Sequence, residues 1–373
     1  MTQRNPKQCK RWVIKIGSAL VTDDGRGLNH SAIQSWAEQF ATLCSQGYEL
    51  ILVTSGAVAE GMARLKLKTR PHTLHELQAA AAVGQMGLIR AYEQKLLEHS
   101  IHCAQVLLTH EDLRDRKRYL NARSTLNTLL DWKTLPVVNE NDTVATDEIQ
   151  FGDNDTLAAL VANLVEADLL VILTDQAGLY DSNPRENPEA QLIERCDVSD
   201  HALDTAAGPS HHSLGRGGML TKISAARRAA RSGAMTIIAG GANEDILCKI
   251  ASDTFVGTRI YPSEEPLAAR KQWIANQLQV SGELTLDAGA TKVLLQDGAS
   301  LLAIGVTEVS GQFERGELVV CKDASGNEIG RGLSNYSAEE THKILGKASH
   351  QIEEILGYVD EPELIHRDNL IIA

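Results

Sequence analysis

Residues 155–173, DTLAALVANLVEADLLVIL, decide the fold class because they join a helical pattern to a strand pattern. In the first part, aliphatic side chains recur at the spacing of one helix face, namely Leu157, Leu160, Val161, Leu164 and Val165. The run Leu169–Leu173 is short and continuously aliphatic, which is typical of a strand buried on both faces. A helix followed by such a strand is the repeating unit of a parallel α/β sheet.

The same alternation extends over the first part of the chain. Short aliphatic runs separated by longer helical patterns predict further strands at Trp12–Ile16, Glu49–Val53, Pro136–Val138 and Thr236–Ala239. We therefore predict an α/β fold with a mostly parallel central sheet sandwiched by helices. Ligands of such sheets bind beyond the carboxyl ends of the strands, so the loops that follow the strands are where a site is expected.

The pattern changes in residues 258–275, which carry two prolines and mixed charges and are typical of a linker. Residues 282–333 hold short alternating runs, ELTL, KVLL, SLLAIGV and ELVV, which predict a small β-rich, barrel-like domain. A helical pattern follows at residues 338–356. The chain length suits two domains, and the predicted boundaries are 1–262 for the first domain, 263–279 for the linker, 280–360 for the second domain and 361–373 for a C-terminal tail.

Composition predicts a cytoplasmic protein without a membrane span. No stretch approaches the roughly 20 apolar residues that a spanning helix needs. The first ten residues, MTQRNPKQCK, hold no apolar signal core. Six cysteines are scattered without a CxxC pair, which fits reduced thiols better than a disulfide framework or a zinc site.

Charge argues against nucleic acid as a partner. The net charge is −13, and residues 276–373 carry seven basic and sixteen acidic side chains. Sequence-independent binding to nucleic acid depends on Lys and Arg neutralising phosphates, which this composition does not favour. If the substrates are anions, local cations must hold them, so each cation beside a glycine is a candidate ligand.

Glycine loops follow several of the predicted strands. They are VIKIGSAL (13–20), ILVTSGAVAEG (51–61) and HSLGRGGMLTKISAARRAARSG (212–233), and the last opens into a helical pattern with Lys222 in its first turns. Glycines before a helix let backbone N–H groups approach phosphate oxygens, although a solvated surface loop is the plain alternative. The two common phosphate-binding motifs, GxxxxGK[ST] and GxGxxG, do not occur in the sequence.

The polar block NENDTVATDEIQFGDNDTL (139–157) is the most informative stretch for function. It places six acidic side chains and three asparagines between a strand and a helix. Such a cluster could coordinate a hard divalent cation through oxygen ligands, or grip an amino group and orient lysines. Solvated turns and a helix cap at Asp153 are the structural alternative.

Taken in order, these segments resemble the glutamate 5-kinases of the amino-acid kinase family. The motifs are VIKIGSAL, VTSGAVAEG, LNAR (120–123), NENDTVA, FGDNDTLAAL, LLVILTDQAGLYDSNPR (169–185) and GRGGMLTK (215–222). In the C-terminal part, LDAGATKVLL, GASLLAIGV, GQFERGELV and IGRGLSNYS resemble a PUA domain. The resemblance covers nearly the full chain and implies the amino-acid kinase fold followed by a PUA domain.

The resemblance implies a site and its chemistry. Lys15 and Lys222 would embrace the transferring phosphoryl group, and Asp155 would hold both lysines as the third catalytic residue. The implied glutamate-binding residues are Ser55, Gly56, Asn139, Asp142, Asp153 and Asn154. The implied ATP-binding residues are Lys15, Thr174, Asp175, Arg216, Gly217, Gly218, Met219, Leu220, Thr221 and Lys222. Mg²⁺ would be carried by the ATP phosphates rather than by protein ligands. Arg216 departs from the small hydroxyl residue common in the family, which bears on nucleotide affinity.

The implied activity is ATP-dependent phosphorylation of the γ-carboxylate of L-glutamate to L-glutamyl 5-phosphate, the first step of proline biosynthesis. Proline as a feedback inhibitor, a homodimer or homotetramer, and a glutamate-5-semialdehyde dehydrogenase as partner follow from the same resemblance. The alternatives are an acetylglutamate or uridylate kinase of the same family, which the NENDTVA and GDNDTL motifs disfavour, and an RNA-binding PUA protein. The acidic C-terminal segment opposes the latter, because RNA binding calls for a basic stripe.

Overall fold

The computed structural model describes residues 5–23, 27–145, 154–184, 186–200, 203, 218–255, 257–263, 280–359 and 361–372. These residues form two compact units, the first drawn mainly from the chain up to residue 263 and the second mainly from residue 280 onward. The boundary between the units falls outside the described residues. The four domain ranges given above therefore stay predictions.

The first unit is built on an eight-stranded sheet with the order β3-β4-β2-β1-β5-β7-β8-β6. Its strands are β1 Arg11–Ile16, β2 Glu49–Val53, β3 Cys103–Leu108, β4 Leu135–Glu140, β5 Leu169–Thr174, β6 Arg195–Asp197, β7 Met235–Gly240 and β8 Gly257–Tyr261. The neighbouring strands from β3 to β7 in this order pair in parallel, whereas β8 runs antiparallel to β7. The predicted mostly parallel sheet is confirmed.

Helices connect these strands along the chain. They are α1 Ser18–Val21, α2 His30–Ser45, α3 Ala57–Arg64, α4 Leu74–Leu97, α5 Arg116–Asp131, α6 Asn154–Leu164, α7 Met219–Ala229 and α8 Ile246–Ala251. Local sequence explains their ends: the Asn29 side chain accepts from the amide of Ala32 to cap α2, and Gly233 ends the turn after α7 with a φ of 79°. On α6, Leu157, Val161 and Leu164 are fully buried, as the helical spacing predicted.

The second unit contains a five-stranded sheet with the order β10-β9-β11-β12-β13. Its strands are β9 Val280–Leu286, β10 Val306–Gly311, β11 Leu318–Lys322, β12 Glu328–Leu333 and β13 Leu370–Ile372, and its helices are α9 Ala288–Asp297, α10 Ala338–Ile344 and α11 Ile352–Leu356. Buried Leu284, Val319 and Tyr336 belong to its hydrophobic core. This unit is the β-rich domain that the alternating runs predicted.

The observed elements depart from the prediction at particular places. All five predicted strands of the first unit lie within observed strands, but β3, β6 and β8 were not predicted, and β8 occupies the start of the stretch read as a linker. The run KVLL (292–295), read as a strand, lies in α9 because Asp287 caps a helix there, its side chain accepting from the amide of Ala290. The C-terminal residues form β13, which pairs with β12. Within the described residues, none of the helices is both long and apolar enough to cross a membrane.

Candidate active site

A cleft opens at the carboxyl ends of the adjacent strands β4, β2, β1 and β5, where a parallel sheet is expected to bind its ligand. Its volume is about 260 Å³. The cleft is lined by residues at the ends of these strands, in the loops that follow them and at the starts of helices, including Lys15, Gly17, Ser18, Ser55, Gly56, Arg70, Asn139, Glu140, Asp142, Asn154, Thr174, Asp175 and Lys222. The fold thus brings together the loops that the sequence singled out.

Two lysines meet on one carboxylate beside this cleft. Nζ of Lys15 lies 2.6 Å from Oδ1 of Asp155, and Nζ of Lys222 lies 3.1 Å from Oδ2 of the same side chain. Asp155 is fully buried, and each lysine is about 5% exposed or less. A buried carboxylate between two ammonium groups fixes both cations in one geometry, and both lysines also line the cleft.

Asp155 remains ionised in this arrangement. Burial alone would raise the pKa of its carboxyl, but Lys15 and Lys222 oppose that effect and hold the pKa below its usual value. The hydroxyl of Thr221 adds a hydrogen-bond contact of 2.7 Å to Oδ2. Asp155 is the second residue of α6, where a carboxylate is also favoured by the helix dipole.

Helix α3 begins at the cleft, and helix α7 reaches the cleft through Lys222. Gly56 precedes α3 with a φ of 105°, a left-handed conformation that side-chain-bearing residues rarely adopt. Gly218 precedes α7, and Lys222 lies in the first turn of that helix, as predicted. Backbone N–H groups at helix starts carry positive partial charge, so this part of the cleft is suited to an anion.

Buried side-chain amides form a hydrogen-bonded network along one side of the cleft. Nδ2 of Asn154 donates to the backbone oxygen of Thr54 at 2.5 Å and to Oδ1 of Asn139 at 2.9 Å. Nδ2 of Asn139 donates in turn to Oε1 of Gln85 at 2.7 Å. Asn139 and Asn154 were predicted site residues, whereas Thr54 and Gln85 were not singled out. No motif marks Gln85, and its only signal in the sequence is a polar residue within the small and apolar run AAAAVGQMGL (79–88).

Asp142 also lines the cleft, and the pKa of its carboxyl group is raised, in contrast to that of Asp155. Burial raises the pKa of its carboxyl to about 6, and the charge of Arg70 opposes that rise. Both residues line the cleft, as does Ser55. A carboxylate with few compensating charges is suited to receive a cationic group from a ligand.

The remaining predicted residues lie at the end of β5, at the start of α7 or outside the described residues. Thr174 and Asp175 line the cleft at the end of β5, with the Thr174 hydroxyl donating to Oδ1 of Asp175 at 3.0 Å. Met219, Leu220 and Thr221 open α7, and the side chain of Leu220 is 54% exposed. The predicted residues Asp153, Arg216 and Gly217 lie outside the described residues. Among the described residues, no three His, Cys, Asp or Glu side chains cluster as ligands for a metal ion.

Comparison with known proteins agrees with this geometry. Residues 10–240 match the model of the amino acid kinase family. The chain belongs to the amino acid kinase family. Residues 282–356 match the PUA domain, so this amino acid kinase carries the second domain that the sequence predicted.

Curated members of the family are similar over the full length. The glutamate 5-kinase of Nitrosospira multiformis is 59% identical over 366 residues, covering 98% of both chains. That of Nitrosococcus oceani is 61% identical over 366 residues, again covering 98% of both chains. Among solved structures, the carbamate kinase of Giardia lamblia bound to AMP-PNP is 16% identical, covers 68% of this chain and 99% of its own, and has a TM-score of 0.49.

Proposed function

We propose that this amino acid kinase transfers the γ-phosphoryl group of ATP to the γ-carboxylate of L-glutamate, giving L-glutamyl 5-phosphate, the first step of proline biosynthesis. Relatives named glutamate 5-kinase, about 60% identical over nearly the whole chain, support this activity. The observation that carries the proposal is the convergence of Lys15 and Lys222 on buried Asp155 beside the cleft.

The two lysines suit phosphoryl transfer to a carboxylate. The acceptor carboxylate is already ionised at neutral pH, so the reaction needs little acid–base help. It needs in-line positioning and fixed cations facing the charge that develops on the phosphoryl oxygens. Lys15 lies near the end of β1 and Lys222 lies in the first turn of α7, so the two ammonium groups reach the cleft from separate elements. Asp155 holds them there without itself touching the reacting atoms.

The proposed binding of glutamate rests on the other polar residues that line the cleft. Asp142 supplies a carboxylate for the α-ammonium group, and Asn139 and Asn154 supply amide groups whose orientation is fixed by their hydrogen bonds. Ser55 and Gly56 add a hydroxyl and a backbone N–H from the loop after β2. Asp153 stays part of the proposed set on the resemblance of its motif.

ATP and Mg²⁺ are the proposed cofactors. Thr174, Asp175 and the first turn of α7 form the nucleotide side of the proposed site, joined by Arg216 and Gly217 on the resemblance of their motif. Both oxygens of Asp155 already contact ammonium groups, which fits Mg²⁺ held by the phosphates rather than by this carboxylate. Mg²⁺, when bound with ATP, supplies charge neutralisation of the phosphate oxygens.

We also propose a cytoplasmic location, an inhibitor and protein partners for this kinase. All six cysteines lie in the described part of the chain, and no disulfide joins any two of them, which supports a cytoplasmic location. Proline as a feedback inhibitor, a homodimer or homotetramer, and a glutamate-5-semialdehyde dehydrogenase that receives the product are proposed from the family resemblance. The predicted domain ranges belong to the proposal in the same way.

ATP turnover with a panel of acceptors tests the activity. Glutamate, N-acetylglutamate, aspartate and UMP are compared, and hydroxylamine traps any acyl phosphate as a hydroxamate. We expect turnover and hydroxamate with glutamate and little of either with the other three. Turnover with UMP or N-acetylglutamate in preference to glutamate would assign the chain to another activity of the family.

A further inference from the structure

A relay of three amide side chains leads from the cleft into the protein. It runs from Asn154 through Asn139 to Gln85, with hydrogen bonds of 2.9 and 2.7 Å. All three side chains are buried, at 7%, 2% and 9% exposure. Asn154 and Asn139 line the cleft, whereas Gln85 lies on α4 outside the cleft lining.

One backbone carbonyl fixes the direction of the whole relay. The oxygen of Thr54 can only accept a hydrogen bond, so the atom of Asn154 that lies 2.5 Å from it must be the nitrogen. The second N–H of that nitrogen then donates to Asn139, which must present its oxygen. Asn139 consequently turns its own nitrogen to the oxygen of Gln85.

This direction determines what the cleft offers to a ligand. Both N–H groups of Asn154 are engaged, so its side-chain oxygen is the atom that remains for a donor such as an ammonium group. Asn139 has one N–H engaged with Gln85, and its second N–H remains for an acceptor such as a carboxylate. An acceptor and a donor presented together are suited to the ammonium and carboxylate groups of an α-amino acid.

Packing alone does not explain an amide side chain at the buried position of Gln85. Among the residues that the structure describes, none accepts a hydrogen bond from its buried Nε2. A buried donor without an acceptor is unfavourable, so an apolar side chain would suit this helix position better if stability alone mattered. The amide is therefore explained by its oxygen, which receives the hydrogen bond from Asn139.

We propose that Gln85 is a positioning residue of the substrate site, which acts through Asn139 to hold the amide groups of Asn139 and Asn154 in the orientation that binds the amino acid. This proposal rests on the proposed function, because it takes glutamate as the ligand that Asn139 and Asn154 bind. Gln85 itself does not touch the substrate. Its loss should therefore weaken glutamate binding and leave ATP binding unchanged.

The Gln85→Met variant tests this role, because it removes the acceptor at nearly constant shape. We expect the KM for glutamate to rise about tenfold, as for the loss of one hydrogen bond, while the KM for ATP and kcat stay within about twofold. Leu88→Met is the matched control, since Leu88 is fully buried one turn further along α4. It should leave all three constants within about twofold. A Gln85→Met enzyme with an unchanged KM for glutamate overturns the proposal.

Two further variants separate positioning from general damage. Gln85→Glu keeps an acceptor oxygen and should restore most of the glutamate KM, and failure to do so at unchanged thermal stability counts against the role. In an Asn139→Ala background, Gln85→Met should change the glutamate KM by less than about twofold, because its effect passes through Asn139. A full additional effect there contradicts the relay.

Failure of the proposed function is recognised separately. A wild-type enzyme without glutamate turnover refutes the function, and this role falls with it. A wild-type enzyme that phosphorylates glutamate, combined with a silent Gln85→Met substitution, refutes the positioning role alone.

Discussion

Lys15 and Lys222, which are far apart in the sequence, contact opposite oxygens of the single carboxylate of Asp155 at 2.6 and 3.1 Å. Lys15 lies near the end of a strand and Lys222 lies in the first turn of a helix, so only the folded chain brings them together. The carboxylate is fully buried, which leaves it few partners besides these cations and Thr221. The relative placement of the two ammonium groups is therefore set by Asp155.

Asp155→Asn should lower both stability and turnover. The neutral amide leaves two ammonium groups buried side by side without a counterion, and breaking a buried ion pair typically reduces the free energy of unfolding by about 3–5 kcal/mol. Urea unfolding at pH 7 measures the loss. Asp131→Asn, at an exposed position, is the control and should change it little.

The same variant has a predicted pH dependence. The pKa of Asp155 is lowered in the folded protein, so its contribution is present above the unfolded value of about 4 and is lost as the pH falls through the folded value. The difference in unfolding free energy between wild type and Asp155→Asn should therefore shrink in strong acid. A difference that stays constant from pH 7 to the acid limit would show that the charge of Asp155 does not stabilise the fold.

Asp142 should make glutamate binding depend on pH. Its pKa of about 6 means that the carboxylate is mostly ionised at pH 7.5 and mostly protonated at pH 5. Since only the ionised form attracts an ammonium group, the KM for glutamate should rise about tenfold between pH 7 and pH 5, with little change in the KM for ATP. Initial rates across this range measure both constants.

Substitution of Asp142 removes this titration. Asp142→Ala should raise the glutamate KM roughly 10- to 100-fold at pH 7.5 and much more than the KM for ATP. Its glutamate KM should then vary little down to pH 5. Equal changes in the two KM values would exclude Asp142 from the substrate site.

Gly56→Ala should impair both stability and activity. The φ of 105° is strained for alanine, and the added Cβ would lie 3.2 Å from Cγ2 of Thr22. Gly47→Ala is the matched control, because Gly47 also has a positive φ, of 80°, but has no atom within 4 Å of the added Cβ. Both should lose about 1–3 kcal/mol of stability, and only Gly56→Ala should also lower kcat/KM. Equal kinetics in the two variants would argue against a role for the loop after β2.

The sequence predicts the core of this fold better than its edges. Strands β1, β2, β4, β5 and β7 each hold a short run rich in aliphatic residues, as expected of strands buried on both faces, and each was predicted. Strand β3 lies at the sheet edge and is half exposed, so CAQVLL (103–108) lacks that signal. The run KVLL is too short for periodicity to separate helix from strand, and the cap at Asp287 decides it.

The candidate site was likewise predicted from the sequence only in part. Lys15, Asp155 and Lys222, with Asn139 and Asn154, lie in motifs whose residue types indicate their chemistry, and the structure brings them together. Gln85 lies on α4, whose sequence pattern indicates a packed helix and no ligand-binding role. Its role depends on a contact with Asn139, 54 positions further along the chain, which no local pattern encodes.

The most direct test of the account is a single-turnover measurement of acyl phosphate formation with saturating ATP and glutamate. Removing one preorganised cation from a phosphoryl-transfer site should slow the chemical step by roughly 10²–10³-fold, so we expect this loss in both Lys15→Ala and Lys222→Ala. Lys249→Ala, at an exposed position on α8, should retain the wild-type rate. A folded Lys15→Ala or Lys222→Ala enzyme with a near-normal rate would contradict the claim that the two lysines act together on the transferred phosphoryl group.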